Sequence, residues 1–381
     1  MRVVFAGGGT GGHLMAGVAT AEEMQSRMPG VEIAFFGTGN AIERRCLQGR
    51  GFKSFGIRGT GWTGSVTNAV VFVWRFVVSL FGCLRSLSGI KPDVVFGLGG
   101  YSSLAPVIGA YILRIPVIIL EQNVIPGKAN RLLSGFADVI LCHWPSSSTL
   151  EYFRDASKVR FTGTPLRKGL LDYKKDSAAK LFGLSPEMTT ILVLGGSQGA
   201  AAINTAVMEC LPGLMAGCHD IQFIHCAGRA DYPRVKAAYE ANGIEARVYD
   251  FLDEMGAAYG MADLAVSRAG ATTLAELTAR GIPAVLVPYP YGTDDHQYKN
   301  ARELSESGAA VVIEERFLSA GRLSSVFSDM VKEKTRLARM GLMSRAMGRP
   351  AAAQAVVDIT LKLLDDKKNG KLCKNLSPQV T

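Results

Sequence analysis

Short apolar runs alternate with helix-length amphipathic stretches along nearly the whole chain. That alternation predicts parallel strands joined by crossover helices, an α/β layer architecture. In the first half, strands are expected near Arg2–Ala6, Glu32–Phe36, Ser54–Ile57, Asp93–Phe96, Val117–Leu120 and Val139–Cys142. Around Phe161-Thr162-Gly163-Thr164-Pro165-Leu166-Arg167 the alternation pauses in residues with the turn chemistry of a linker. It restarts at Thr190–Leu194 and continues through Gln222–His225, Glu245–Tyr249, Leu264–Ser267, Ala284–Val287 and Ala310–Ile313. The expectation is two Rossmann-like doubly wound parallel-sheet domains, residues 1–164 and 165–349, facing a cleft. A last helix over 350–365 is expected to pack back on the first domain, and 366–381 reads as a disordered polar tail.

One stretch breaks the amphipathic rule. Val66–Leu84 is nineteen residues long with a single charge, Arg75. A central arginine costs about 2.5–3.5 kcal/mol on insertion scales, which argues against a membrane span. The segment is apolar nearly all round, more than one core-facing side requires. The surplus, with Phe72, Trp74, Phe76, Leu80 and Phe81 as candidates, meets either the rest of the domain or a lipid surface. Arg75, Arg85 and Lys91 nearby suit anionic head groups, so a peripheral contact with an anionic membrane is the expectation.

Charge sharpens the division into halves. The 381-residue chain carries a formal +9, yet residues 1–164 hold 16 Lys/Arg against 9 Asp/Glu, while residues 201–300 hold 7 against 12. No dense basic stripe appears, so nucleic acid is not an expected partner. Seven scattered cysteines without a CxxC motif argue against a disulfide framework and favour a reducing compartment. Arg2 is followed by only four apolar residues before a run of glycines, so no secretory signal is expected. The pairs Cys218-His219 and His225-Cys226 flank an expected strand and match no zinc spacing; they read as strand-end packing.

The candidate chemistry begins at Gly7-Gly8-Gly9-Thr10-Gly11-Gly12-His13, between the first strand and a helix expected from about Leu14. Five glycines let backbone amides approach an anion closely, and a helix N-terminus adds its dipole. Gly7, Gly9 and Gly12 fit G-x-G-x-x-G, but a dinucleotide site also needs an acid at the end of the second strand. That strand ends Phe35-Phe36-Gly37-Thr38, with no carboxylate. A nicotinamide dehydrogenase is therefore disfavoured.

The second half repeats the device. Gly195-Gly196-Ser197-Gln198-Gly199 follows a strand, and Ser267 runs into Arg268-Ala269-Gly270-Ala271, whose small residues leave amides open to a diphosphate. Glu276 falls one and a half turns into the following helix, where a carboxylate can accept from both ribose hydroxyls. Asp294, Asp295, His296 and Gln297 form a cluster of donors and acceptors suited to a sugar, or equally to a helix cap.

Taken in order, Gly9-Thr10-Gly11-Gly12-His13, Gly99-Gly100-Tyr101-Ser102, Glu121-Gln122-Asn123, the Gly195–Gly199 loop, Ser267–Ala271 and Asp294–Gln297 resemble the MurG family of N-acetylglucosaminyltransferases, over roughly residues 2–360. The resemblance implies the two-domain GT-B fold and a UDP-N-acetylglucosamine donor. It implies as acceptor the lipid-linked N-acetylmuramyl-pentapeptide of bacterial peptidoglycan synthesis. It also implies a peripheral position on the cytoplasmic face of the bacterial plasma membrane, with other cell-wall synthesis or division proteins as possible partners. By the same resemblance, the uracil lies near Phe251-Leu252 and Arg167, and Glu276 takes the ribose. Ser197, Gly270 and Ala271, with Thr10, Gly11 and Gly12, meet the donor; Asn123, His296 and Gln297 reach sugar hydroxyls. Gly7, Gly8, Gly9 and Gly12 receive the acceptor diphosphate. Two departures stand out: the family often has Gln at position 296 and His at position 120, where this chain has His296 and Leu120.

The expected reaction is an inverting single displacement with His13 as general base, since an imidazole titrates near neutral pH. No D-x-D motif occurs, so no metal and no other cofactor is expected. Two other readings use the same residues: a UDP-N-acetylglucosamine 2-epimerase, which has no need of the apolar helix, and a non-catalytic membrane-associated module that binds the nucleotide sugar.

Overall fold

The computed structural model describes all residues except 9–10, 58–65, 197–198, 216–219 and 371–381, and only the backbone of 66–70, 215 and 293. Two compact units emerge: one comprises Met1–Arg167 and the segment from Arg349 onward, the other Lys168–Gly348.

The first unit holds seven strands: β1 (Arg2–Ala6), β2 (Glu32–Gly37), β3 (Lys53–Gly56), β4 (Val94–Gly97), β5 (Val117–Glu121), β6 (Val139–Cys142) and β7 (Val159–Phe161). Their order is β3-β2-β1-β4-β5-β6-β7, and every pairing is parallel. The second unit holds six: β8 (Thr189–Leu194), β9 (Ile221–Cys226), β10 (Ala246–Tyr249), β11 (Leu264–Ser267), β12 (Ala284–Leu286) and β13 (Ala310–Val312). Their order is β10-β9-β8-β11-β12-β13, again all parallel. The order reverses between β1 and β4 in one sheet and between β8 and β11 in the other. In doubly wound sheets the crevice beyond the carboxyl ends at that reversal is the usual ligand position.

Continuous apolar strands have this fate because helices cover both faces of a parallel sheet. In the first unit, Val3, Phe5, Val94 and Phe96 face one layer, and Val4, Ala6, Val95 and Ile119 face the other. Phe5 stacks between Phe35 and Phe96, with ring centroids 5.0 and 4.8 Å away. The helix Gly11–Arg27 lies on the Phe5 side, so close that a Cβ on Gly17 would stand 2.6 Å from Leu98 Cδ1. The last helix, Ala352–Lys368, contributes Val356, Val357 and Leu363 to that same layer. Each such buried side chain is worth about 1.5–3 kcal/mol of burial free energy.

Several boundaries differ from expectation. The first helix opens at Gly11 rather than near Leu14, so His13 lies within its first turn. β7 was hidden because Arg160 interrupts a three-residue run; it pairs with β6. Past it, the amides of Thr162 and Gly163 donate to Cys142 O and that of Thr164 to His143 Nδ1. These bonds hold the expected linker to the first unit, and the division falls after Arg167 instead of Thr164. The final helix runs to Lys368, so residues 366–368 are helical rather than disordered; the tail from 371 lies outside the described residues.

The apolar helix extends from Val66 to Ile90. Cys83 and Leu87 are buried, and Phe72, Phe76 and Leu80 pack half-buried against the same core. These three are thus inward-facing, which removes them from the expected lipid patch. The outward side carries Val71, Val73, Val77, Val78, Trp74 at 67% exposure and Phe81 at 68%.

Candidate active site

In the first unit, the loop after β1 turns on Gly7 and Gly8, at φ +107° and +105°. Only glycine fits here: a Cβ on Gly7 would stand 2.4 Å from Gly99 O. The Gly7 amide donates to Phe36 O at 2.9 Å, and the Gly8 amide to Gly99 O at 3.4 Å. The β1 and β4 loops thus meet at the reversal of strand order. Gly9 and Thr10 lie outside the described residues. Gly11, Gly12 and half-buried His13 form the first turn of the helix, the end at which its dipole is positive.

Beside this loop, the buried Glu121 organises the chain that follows β5. Its Oε1 accepts from the Asn123 amide at 2.9 Å and from Asn123 Nδ2 at 3.2 Å. Its Oε2 accepts from the Gly127 amide at 3.0 Å and from Asn130 Nδ2 at 2.8 Å. Asn123, expected at a sugar hydroxyl, is therefore held in place by Glu121, a role its neighbour's identity alone did not reveal. Leu120, where the family often has histidine, is buried in the apolar layer with Leu141. Arg167 is half-buried at the end of this unit.

The end of β2 is not bare of carboxylate after all. Glu43, from the following helix, folds back so that its Oε2 accepts from the Gly39 amide at 2.6 Å and its Oε1 from Thr38 Oγ1 at 3.0 Å. A Cβ on Gly37 would stand 2.6 Å from that Oε2. The acid is buried and both oxygens are engaged by their own loop, so a ribose acceptor is still lacking there.

The second unit contains a cavity of about 440 Å³ beyond the ends of β8 and β11. Its lining combines Gly195, Gly196 and Gly199 with the opening of the Ala201–Met215 helix, and Gly270, the residue preceding the Ala271–Arg280 helix. Two helix N-termini beside one cavity suit an anion. Gly199, at φ +76°, could not carry a side chain, since its Cβ would stand 2.3 Å from Ala227 O. Ser197 lies outside the described residues. Arg268 and Glu315 also line the cavity, with Thr273, Tyr289 and Gln297.

Of the expected donor residues, Gly270 and Gln297 therefore share this cavity, whereas Ala271, Leu252, Glu276 and His296 are not among its lining residues. Gln297 Oε1 accepts from the amides of Ala269 at 3.1 Å and Tyr289 at 3.0 Å. That oxygen staples two loops together, which leaves the amide nitrogen as the group able to meet a sugar hydroxyl. Glu276 is buried at 6% exposure, and its Oε2 accepts from Tyr259 Oη at 2.7 Å. Leu252 is buried beside an exposed Phe251. His296 opens the helix His296–Glu306, after Asp294 and Asp295 at φ +53° and +50°. Two consecutive left-handed aspartates cost backbone energy, and such strain tends to gather at functional loops.

Arg268 and Tyr259 escaped the sequence reading. The signal for Arg268 was its position, directly after a strand and before a run of small residues. The pair His225-Cys226 is packing, as expected: His225 Nδ1 meets Tyr239 Oη at 3.1 Å and Nε2 meets Asn204 Oδ1 at 3.0 Å. Cys218 and His219 lie outside the described residues.

Comparison with known proteins follows the same division. The glycosyltransferase family 28 N-terminal domain matches residues 3–142, and the C-terminal domain of that family matches residues 190–356. A relative from Thermodesulfovibrio yellowstonii, a UDP-N-acetylglucosamine–N-acetylmuramyl-(pentapeptide) pyrophosphoryl-undecaprenol N-acetylglucosamine transferase, is 40% identical over 97% of this chain and 100% of its own. The crystal structure of MurG from Acinetobacter baumannii superposes with a TM-score of 0.75 at 28% identity, covering 95% of this chain and 99% of that one. A UDP-N-acetylglucosamine 2-epimerase from Neisseria meningitidis shares the fold, with a TM-score of 0.66 at 14% identity over 95% of this chain and 100% of its own.

Proposed function

The chain belongs to the MurG family within glycosyltransferase family 28, and from that premise we infer that it is an N-acetylglucosaminyltransferase of peptidoglycan synthesis. It moves N-acetylglucosamine from UDP-N-acetylglucosamine to the 4-hydroxyl of the lipid-linked N-acetylmuramyl-pentapeptide. The observation that carries this reading is full-length kinship with transferases of that name. The second-unit cavity, with its two helix N-termini and one guanidinium, agrees with it chemically.

The 4-hydroxyl oxygen attacks the anomeric carbon from the face opposite the nucleotide, the bond to the diphosphate oxygen breaks, and UDP leaves as an anion. His13 takes the hydroxyl proton as general base. Amides at Gly270 and Ala271, with Ser197 and Arg268, receive the growing negative charge on the diphosphate, a stabilisation preorganised by the fold. Those groups supply the charge that a divalent cation otherwise provides, and the reaction is read as metal-independent. Glu276 accepts from the ribose hydroxyls, Leu252 and Arg167 border the nucleotide, and the Gln297 amide nitrogen, His296 and Asn123 meet the sugar. The Gly7–Gly12 loop takes the acceptor diphosphate, with Thr10, Gly11 and Gly12 also near the donor.

The outward side of the Val66–Ile90 helix fits the lipid-borne acceptor. Val71–Ile90 is long and apolar enough to cross a bilayer, but its inner side packs on the first unit's core through Leu80, Cys83 and Leu87. That packing supports a helix lying on an anionic membrane surface, with Trp74 and Phe81 entering the interface. The cytoplasmic face follows from where the nucleotide sugar is available.

The test is release of UDP from UDP-N-acetylglucosamine with and without the lipid-linked acceptor, repeated with a chelator. Acceptor-dependent release, unaffected by the chelator, is expected. Formation of the 2-epimer without acceptor would support the epimerase instead, and nucleotide-sugar binding without turnover the non-catalytic module.

A further inference from the structure

Arg268 and Glu315 stand together on the wall of the second-unit cavity, and both are largely withdrawn from solvent, with side-chain exposures of 14% and 25%. Arg268 Nη1 donates to Val287 O at 3.2 Å and Pro288 O at 3.3 Å, and its guanidinium carbon lies 5.5 Å from the centre of the Tyr289 ring. These contacts fix the cation at the cavity wall from one side. On the other side, Nη2 approaches Glu315 Oε2 at 2.5 Å. Beyond this ion pair, the buried carboxylate oxygen has no hydrogen-bonded partner among the described residues.

A buried carboxylate oxygen with an ion-pair partner but no hydrogen-bond donor among the described residues is incompletely satisfied, because burial removes water. It also stands where two helix N-termini and an arginine favour an incoming anion. A diphosphate entering this cavity meets Glu315 as a like charge and Arg268 as its natural partner, since guanidinium donors pair well with phosphate oxygens. Among the described residues, Arg268 is the only basic side chain lining the cavity, so the two anions compete for it.

We propose that Glu315 is an anionic place-holder: it occupies Arg268 before the nucleotide sugar binds, yields the guanidinium to the diphosphate, and reclaims it as UDP leaves. This rests on the reading of the cavity as the diphosphate pocket. The carboxylate weakens nucleotide binding and thereby eases product release. The exchange needs no movement of the arginine itself, because the bonds from Nη1 to the two carbonyls hold it in place throughout.

Titration calorimetry with UDP on the full chain tests this with Glu315→Gln and Glu315→Asp. Glu315→Gln keeps the shape, removes the charge and is expected to bind UDP on the order of tenfold more tightly. UDP should inhibit its turnover correspondingly more strongly. Glu315→Asp retains the charge and is expected to bind UDP much as the unsubstituted chain does, which separates charge from any loss of packing. Unchanged or weaker UDP binding by Glu315→Gln, with the unsubstituted chain binding UDP, overturns the place-holder alone. Absence of UDP binding by the unsubstituted chain overturns the diphosphate pocket itself and the place-holder with it.

Discussion

Tyr259 donates its phenolic hydrogen to Glu276 Oε2 at 2.7 Å, and both side chains are buried. A carboxylate assigned to a ribose thus has its orientation set from behind. Tyr259→Phe removes one hydrogen bond to a charged group, worth about 1.5–3 kcal/mol, and part of that loss should appear as freedom of the carboxylate. The expected outcome is a rise in KM for the donor of about tenfold with kcat little changed, read by steady-state kinetics with varied UDP-N-acetylglucosamine.

Gln297 separates its two functions by atom. In Gln297→Glu, the carboxylate still accepts from the Ala269 and Tyr289 amides, but the donor nitrogen is gone. Thermal unfolding should then be little changed while kcat/KM falls about tenfold, the effect of one lost hydrogen bond to the sugar. Gln297→Leu, which also unties the loops, should lower the melting temperature as well.

The apolar helix makes a prediction about location. Replacing Trp74 and Phe81 together with serine removes the two most exposed aromatic side chains of the outward side while sparing Cys83 and Leu87 in the core. Sedimentation with vesicles containing anionic lipid should fall by about tenfold or more, because a large apolar side chain contributes about 1.5–3 kcal/mol when fully buried. Activity on a water-soluble acceptor analogue should persist. Phe76→Ser is expected instead to destabilise the first unit, since that ring packs inward.

Acid stability follows from two histidines. Burial lowers the pKa of His143, helped by the nearby Arg349 charge, to about 3, and burial likewise lowers that of His225 to about 3. Both are neutral in the folded protein, whereas the unfolded chain takes up protons near the ordinary value of 6.5. Stability is therefore intact above pH 6.5 and is lost as pH falls from 6.5 toward 3, where the unfolded state binds more protons. The histidines lie in different units, so each unit has its own acid-sensitive group. Denaturant titrations between pH 7 and pH 4 should show falling midpoints, and His225→Gln should flatten that fall for the second unit.

Much of this molecule was legible in the residue order because parallel strands are short, apolar and flanked by glycine. Every strand expected in either half formed, within a residue or so at its ends. β7 was missed because a buried arginine broke its apolar run. The sidedness of Val66–Ile90 was not legible either: when both sides are apolar, periodicity cannot tell which meets the core. Site residues that act through neighbours were also out of reach. Glu43 closes over β2, Tyr259 reaches Glu276 across seventeen positions, and Glu315 meets Arg268 from beyond β13. These are tertiary facts, set by how helices fold back over strand ends.

The closing helix has a consequence for biosynthesis. Val356, Val357 and Leu363 fill the layer beside Phe5 and Leu14, yet they leave the ribosome after everything between them and the first unit's sheet has been made. The stretch Lys168–Gly348 is contiguous and can complete itself while the earlier-born half still waits for its final side chains. The amino-terminal unit is thus the first to be begun, yet its core has all its side chains only once the closing helix has been made.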